Sequence, residues 1–244
     1  MPAPGLRVTV LTGAGISTGA GIPDFRGPDG TWTRHPDQVE LLDLGRYVAD
    51  GDVRRRGWRM WCEHPAWTAR PAAGHRALVD LERAGRLQAV LTQNFDGLHQ
   101  AAGLDDHDVV ELHGTLRTTS CLVCGDRQPT ADVLARLDAE PDPPCAVCGG
   151  VLKPDVVYFG ERLQDRPLER AIAAAQDGDV FVVVGSTLTV QPVASLAGLA
   201  AEVGAEVVIV NAEPTAYDHL ADRVVRDPIE QALPALVAEL LARD

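Results

Sequence analysis

Four of the five cysteines fall in two pairs, Cys121-x-x-Cys124 and Cys145-x-x-Cys148, with 20 residues between the pairs. Two residues between thiols let a tight turn aim both at one ion, and the spacing is that of a zinc ribbon. Gly125 and the doublet Gly149-Gly150 follow the pairs and supply the turns. Four thiolates fill a tetrahedral shell and leave no position for water, so Cys121, Cys124, Cys145 and Cys148 are expected to hold a structural zinc rather than a catalytic one. Two disulfides or reduced free thiols are the alternative. The N-terminal Met1-Pro2-Ala3-Pro4 shows no charged segment leading into an apolar one, so no export signal is expected, and disulfides are then disfavoured. The fifth cysteine, Cys62, follows Trp61 and reads as a small buried hydrophobe.

A second group of residues suits anion and nucleotide chemistry. The strand-like run Arg7-Val8-Thr9-Val10-Leu11 leads into the turn Gly13-Ala14-Gly15-Ile16-Ser17 and a helix start. Small residues let the backbone approach a phosphate, and N–H groups at a helix start meet its charge. The third glycine of a G-x-G-x-x-G turn is replaced by Thr18, and no strand ending in an acidic residue follows, which speaks against an ordinary dehydrogenase. A glycine hairpin without a ligand is the alternative at this turn. Three further apolar runs end in polar residues: Thr92-Gln93-Asn94-Phe95-Asp96, Gly185-Ser186-Thr187 and Asn211-Ala212-Glu213. Each alone is ordinary helix-cap chemistry. Their recurrence at three strand ends is the functional signal, because ligands sit at the C-terminal ends of parallel strands. His113, in Glu111-Leu112-His113-Gly114, reads by itself as a structural histidine.

These residues need a scaffold, and the chain supplies one. Strands are expected at Arg7–Leu11, Leu87–Thr92, Val156–Phe159, Val180–Val184 and Glu206–Val210, with helices such as Gly74–Ala84 and Pro192–Val203 between them. That alternation predicts an α/β fold with a doubly wound parallel sheet. Two stretches interrupt it: 34–73, with Trp58, Trp61, Trp67 and the run Arg54-Arg55-Arg56, and 118–153, with the cysteine pairs. They read as insertions forming a smaller domain beside the main one (1–33, 74–117 and 154–244), with the active site in the crevice between. The arginine run reads as a solvated helix face. A length of 244 residues, 45% hydrophobic, with no repeat, excludes disorder, solenoids and two independent enzymes. The net charge of −13 disfavours a nucleic-acid partner, and no apolar run reaches the roughly 18 residues of a membrane helix. A cytoplasmic protein is expected.

The motifs taken together resemble the sirtuins, NAD-dependent protein lysine deacylases. The resemblance is carried by Gly13-Ala14-Gly15-Ile16-Ser17, Gly21-Ile22-Pro23-Asp24-Phe25-Arg26-Gly27, Thr92-Gln93-Asn94-Phe95-Asp96-Gly97-Leu98-His99, Glu111-Leu112-His113-Gly114, the cysteine pairs, Lys153-Pro154-Asp155-Val156-Val157-Tyr158-Phe159-Gly160-Glu161, Val184-Gly185-Ser186-Thr187-Leu188-Thr189-Val190 and Val208-Ile209-Val210-Asn211. They occur in the family's order from residue 13 to 211. The resemblance implies a Rossmann-like domain with a zinc-ribbon and helical small domain, binding NAD and an acylated-lysine protein or peptide between them. Nicotinamide and 2′-O-acyl-ADP-ribose would be released.

By the same resemblance His113 is the general base, a role suited to an imidazole whose ordinary pKa of about 6.5 lies near working pH. Gly13, Ala14, Gly15 and Ser17 resemble the pyrophosphate cradle, and Phe25 and Arg26 the loop that covers the ribose. Gln93 and Asn94 resemble contacts to the nicotinamide-side ribose, Asp96 the acceptor for the carboxamide, and Gly185, Ser186 and Asn211 the adenosine side. Val157, Phe159 and Gly160, opposite Leu188 and Val190, resemble the walls of the acyl-lysine tunnel. Phe95 departs from the family's usual Ile or Val. Trp58-Arg59-Met60-Trp61 lacks the Tyr and Arg pair of succinyl-selective members, which disfavours acidic acyl groups, while Gly27–Thr33 resembles a branch favouring longer chains. ADP-ribosyl transfer and non-catalytic NAD sensing are the competing functions, the second opposed by the intact Asn94, Asp96 and His113.

Overall fold

The computed structural model describes residues 5–243; Met1-Pro2-Ala3-Pro4, on which the expectation of no export signal rests, lies outside the described residues. In chain order the strands are β1 Val8–Thr12, β2 Leu87–Thr92, β3 Val109–Glu111, β4 Gly114–Cys121, β5 Arg127–Pro129, β6 Leu152–Val156, β7 Val180–Val184, β8 Glu206–Val210 and β9 Arg223–Val225. Six of them form a parallel sheet in the order β3-β2-β1-β7-β8-β9. From β1 the chain winds outward through β2 and β3, then returns to β7 and winds the other way. The strand order therefore reverses between β1 and β7, the place where such sheets open a ligand crevice.

Helices cover both faces, which is why β7 and β8 read as nearly unbroken apolar runs and β1 is buried along its whole length. Val8 and Val10 pack on one face with Leu78, Leu81, Leu233 and Leu236. Leu11, Val183 and Ile209 pack on the other with Ala171, Ala175 and Ala197. Thr9, fully buried within β1, satisfies its hydroxyl by donating to the Ala174 carbonyl at 2.9 Å. The apolar runs at Leu87–Thr92, Val180–Val184 and Glu206–Val210 form strands over those residues. The run at Val156–Phe159 does not join the parallel sheet. Its strand is β6, Leu152–Val156, in a separate antiparallel sheet ordered β5-β4-β6. The helix read over Pro192–Val203 is split into a 3-10 turn, Val193–Ser195, and the α-helix Leu196–Glu202.

The second sheet packs on the helical stretch 34–73. The helix Gly51–Cys62 buries Trp58 and Trp61, three positions apart and so on one face. Trp58 joins Cys121, Cys145, Val133 and Leu152 in one apolar cluster. Cys62, expected to be buried, is exposed: one residue beyond Trp61 it is turned about 100° from that face. The arginine run is also corrected in part. Arg55 and Arg56 pair with surface carboxylates, but Arg54 is only 16% exposed and grips both oxygens of Asp142, at 3.1 and 2.8 Å, and the Tyr47 and Val48 carbonyls. It ties the helical stretch to the cysteine-bearing one. No helix among the described residues is long and apolar enough to cross a membrane.

Candidate active site

The C-terminal ends of β1, β2, β7 and β8 open into a cleft of about 1030 Å³. At its floor the ends of β1 and β7 touch. A Cβ on Gly13 would lie 2.6 Å from the Gly185 carbonyl oxygen, and one on Gly15 would lie 2.7 Å from the Gly185 Cα. Gly185 itself is left-handed, at φ 62°. Bare backbone is what lets the two strand ends meet, and the chain then enters the 3-10 turn Ala14–Ala20. Gln93, Asn94, Ser186 and Asn211 rim the cleft. Their orientations are set by neighbours: Gln93 Nε2 donates to Ser186 Oγ at 2.8 Å, Asn94 Nδ2 to the Gly13 carbonyl at 3.1 Å, and Asn211 Nδ2 to the Glu213 carbonyl at 2.8 Å.

His113 faces the same cleft between β3 and β4. Its Nδ1 lies 3.1 Å from the Gln93 carbonyl oxygen, which can only accept, so Nδ1 carries the proton and Nε2 is the free acceptor. Gly114 follows in the left-handed region, where a Cβ would lie 1.8 Å from the Asp155 carbonyl oxygen. This close approach brings β6 alongside, and the Val157 N–H donates to the His113 carbonyl at 2.9 Å. Burial lowers the His113 pKa from its ordinary 6.5, with the Gln93 carbonyl opposing and the Arg26 charge assisting. The neutral ring, the form able to take a proton, exists above that pKa. The kcat/KM of any reaction using His113 as a base is therefore expected to persist below pH 6.5 and to fall only as the pH drops through the lowered value. A pH–rate profile checks this, and an acid limb at about pH 7 or above would contradict it.

Ser17 and Asp96 lie in a smaller pocket of about 280 Å³, which shares Ala14, Phe25, Trp32, Asn94 and Phe95 with the large cleft. Burial raises the Asp96 pKa, opposed by the Leu98 N–H and the Ser17 hydroxyl. Ser17 Oγ donates to Asp96 Oδ2 at 2.7 Å, and His75 Nε2 stands 3.5 Å behind Ser17. Phe25 and Arg26 reach the large cleft, Arg26 with its guanidinium 4.6 Å above the Trp32 ring. Phe95 packs edge-on against Trp61 at 5.4 Å, so its extra bulk is absorbed by the tryptophan helix.

Val157, Phe159, Gly160 and Val190 line the large cleft. Leu188 does not. It is 3% exposed, packs with the core beneath the sheet and has φ 51°, a left-handed backbone that turns its side chain inward. Trp32, singled out only as part of Gly27–Thr33, lines both cavities and packs tilted against Phe25, ring centroids 4.6 Å apart. Glu213, part of the Asn211-Ala212-Glu213 strand end, also lines the large cleft, and so do two residues the sequence does not mark, Asp227 and Glu230. The last two come from the C-terminal segment, far from every motif.

The four paired cysteines converge, with all four sulfurs within 4.8 Å of one another and pairs at 3.5 and 3.7 Å. Zn–S bonds of about 2.3 Å in a tetrahedron require S···S edges of about 3.8 Å, so this set fits zinc. The Cys124 and Val123 N–H groups aim at Cys121 Sγ and lower its pKa, while the neighbouring thiols raise those of Cys124 and Cys148, so of these three Cys121 is the first to become the thiolate that binds metal.

A family model described as the Sir2 family matches residues 13–192. The chain is a member of the Sir2 family. Over 234 residues, 96% of this chain and 97% of the relative, it is 54% identical to NAD-dependent protein deacetylase 2 of Streptomyces coelicolor. It is 42% identical over 233 residues to NAD-dependent protein deacetylase 1 of Pyrobaculum aerophilum, covering 94% of this chain and 88% of that one. Among solved structures, a Sir2 protein with a p53 peptide and NAD+ superposes with a TM-score of 0.86 at 33% identity, covering 96% of this chain and 92% of that chain. Another, with a propionylated peptide, gives 0.85 at 31%, with the same coverage. The parallel sheet, the separate antiparallel sheet and the four-cysteine cluster are thus the architecture of a Sir2 protein.

Proposed function

We propose that this Sir2 protein is an NAD-dependent protein lysine deacylase of the deacetylase type, moving the acyl group of a modified lysine to ADP-ribose and releasing nicotinamide and 2′-O-acyl-ADP-ribose. The observation that carries the residue assignments is one cleft presenting three things together: the polar ends of four parallel strands, a neutral imidazole with Nε2 free, and an apolar wall of Val157, Phe159 and Val190. NAD, when bound, supplies the ADP-ribosyl group that accepts the acyl chain. The donor set fits it. Gly13, Ala14 and Gly15 offer backbone to the pyrophosphate, Gln93 and Asn94 face the nicotinamide-side ribose, and Ser186 and Asn211 the adenosine side. Asp96, at the back of the smaller pocket with Ser17, can accept a carboxamide N–H.

His113 takes up a proton at Nε2, and the Gln93 carbonyl on Nδ1–H steadies the cation that forms. Phe25 and Trp32, packed together between the two cavities, keep water from the reacting centre. Residues 1–33, 74–117 and 154–244 would act as the NAD-binding part, and 34–73 with 118–153 as the zinc-bearing part. Zinc held by four thiolates stabilises that part and takes no part in the chemistry. A cytoplasmic setting belongs to the same proposal and is supported by a ligand set that must stay reduced.

The test is mass spectrometry of the protein incubated with NAD and acetyl-, succinyl- and long-acyl-lysine peptides. Loss of acyl mass from a peptide, matched by 2′-O-acyl-ADP-ribose, is expected, with the succinyl peptide poorest because the acyl-side wall is apolar. ADP-ribose appearing on an acceptor protein, with every peptide unchanged, would replace deacylation by ADP-ribosyl transfer.

A further inference from the structure

Lys153 is a buried cation with no part in the chemistry above. Its side chain is only 7% exposed and does not line the cleft. An ammonium has three N–H groups to satisfy, and all three have partners: the Pro154 carbonyl at 3.0 Å, the Val156 carbonyl at 2.7 Å and Glu161 Oε2 at 3.1 Å. The same Nζ sits 4.4 Å over the Tyr158 ring. Glu161 Oε2 also accepts the Tyr158 N–H, so one carboxylate oxygen is shared between the lysine and the backbone of the segment it encloses.

That segment runs along the cleft, which it lines from Val156 to Leu163. Tyr158 points inward, 2% exposed, its hydroxyl accepting from Trp61 Nε1 at 2.8 Å. Phe159 is 43% exposed and lines the cleft, as do Val157 and Gly160. The β4–β6 ladder ends at Val156, so beyond it few backbone bonds hold the chain. Among the described residues they are Val157 N–H to the His113 carbonyl, Phe159 N–H to the Leu42 carbonyl, Leu44 N–H to the Phe159 carbonyl and, within the segment, Glu161 N–H to the Tyr158 carbonyl. Lys153 closes this bend from beneath, gathering two carbonyls, one carboxylate and one aromatic face. A charge so placed is justified only where its partners need fixing, because a buried ion pair adds little net stability over an apolar replacement.

We propose that Lys153 is a positioning residue for the acylated peptide, holding residues 154–161 in the bent path, strand to Val156 and turn at 158–161, that presents Val157, Phe159 and Gly160 to an incoming strand. The proposal rests on the deacylase reading above. A strand docking on a preformed edge loses affinity when that edge must first be ordered.

Lys153→Met keeps the length and the apolar stem while removing the charge and the donors. The peptide KM is expected to rise about tenfold or more while the NAD KM stays within about twofold, with Lys153→Arg recovering most of the loss. In the ligand-free protein, hydrogen exchange at the amides of 157–160 should quicken in Lys153→Met, with β1 and β7 unchanged. Glu161→Gln, close in size, should raise the peptide KM in the same sense and serves if Lys153→Met folds poorly. Equal rises in both KM values would mean general stability and overturn the proposal, as would unchanged KM and exchange. A wild-type protein inert toward every acylated peptide overturns the deacylase reading itself, and the exchange measurement then still decides whether Lys153 holds the segment.

Discussion

His113→Ala is expected to lower kcat by about 10²–10⁴-fold, the usual contribution of a positioned general base, while NAD still binds. The separation follows from where the side chain sits. Among the described residues its ring makes one hydrogen bond, Nδ1–H to the Gln93 carbonyl, whereas the strand contact on which the cleft depends runs through its backbone carbonyl to the Val157 N–H. Alanine keeps that carbonyl. The cleft should therefore keep its shape and lose its proton acceptor. Calorimetric titration with NAD alongside initial rates checks both halves. A variant retaining wild-type kcat would remove His113 from the mechanism, and one that no longer binds NAD would make it a structural residue.

Stripping the zinc, or replacing Cys145 with alanine, is expected to unfold the antiparallel sheet and abolish activity. Structural zinc contributes about 10–16 kcal/mol of apparent binding energy in small zinc modules, as much as the whole stability of an ordinary domain. At its metal-bearing end the β4–β6 sheet has little else. The apolar cluster there holds five buried residues, Trp58, Val133 and Leu152 with Cys121 and Cys145, two of which are ligands themselves, while Leu116 and Val156 at the other end pack with Tyr47 and Trp61. β4 runs from Gly114, next to His113, to Cys121, a ligand, so the metal and the base are joined by one strand. Tryptophan emission gives the readout, shifting to the red as the pockets of Trp58 and Trp61 open and judged against a Trp58→Phe control that isolates the Trp58 share, together with a metal assay of the treated protein. A chelated protein free of zinc yet folded and active would show that the four thiols hold the sheet unaided.

What could be read from the sequence was what is local in it. The cysteine spacing needs a tight turn and nothing else. The runs in β2, β7 and β8 are continuous because both faces of a parallel sheet are covered, and that pattern survives without any tertiary knowledge. Strands β3 and β9, three residues each, are too short to carry periodicity. His113 acquired a role only through the resemblance, since a histidine beside a leucine carries no signal of its own. The resemblance alone puts Leu188 on the tunnel wall, beside Val190. Its left-handed backbone, which sends the side chain into the core, has no sequence mark at a residue other than glycine. Arg54 and Cys62 failed similarly, because which side of a helix meets another segment depends on how two distant stretches pack. The division of the site residues between two cavities was invisible for the same reason.

The contact among Gly13, Gly15 and Gly185 marks a limit for anyone engineering this protein toward a different nucleotide. A side chain at any of the three would collide with backbone, not with a neighbour able to rotate away: at Gly185 a Cβ would lie 2.5 Å from the Ile16 nitrogen. A mutant library that includes these positions therefore samples broken folds. Variation aimed at recognition belongs on the rim instead, at Thr187, Ala212 and Glu213, where the cleft wall is side chain and the sheet beneath does not have to move.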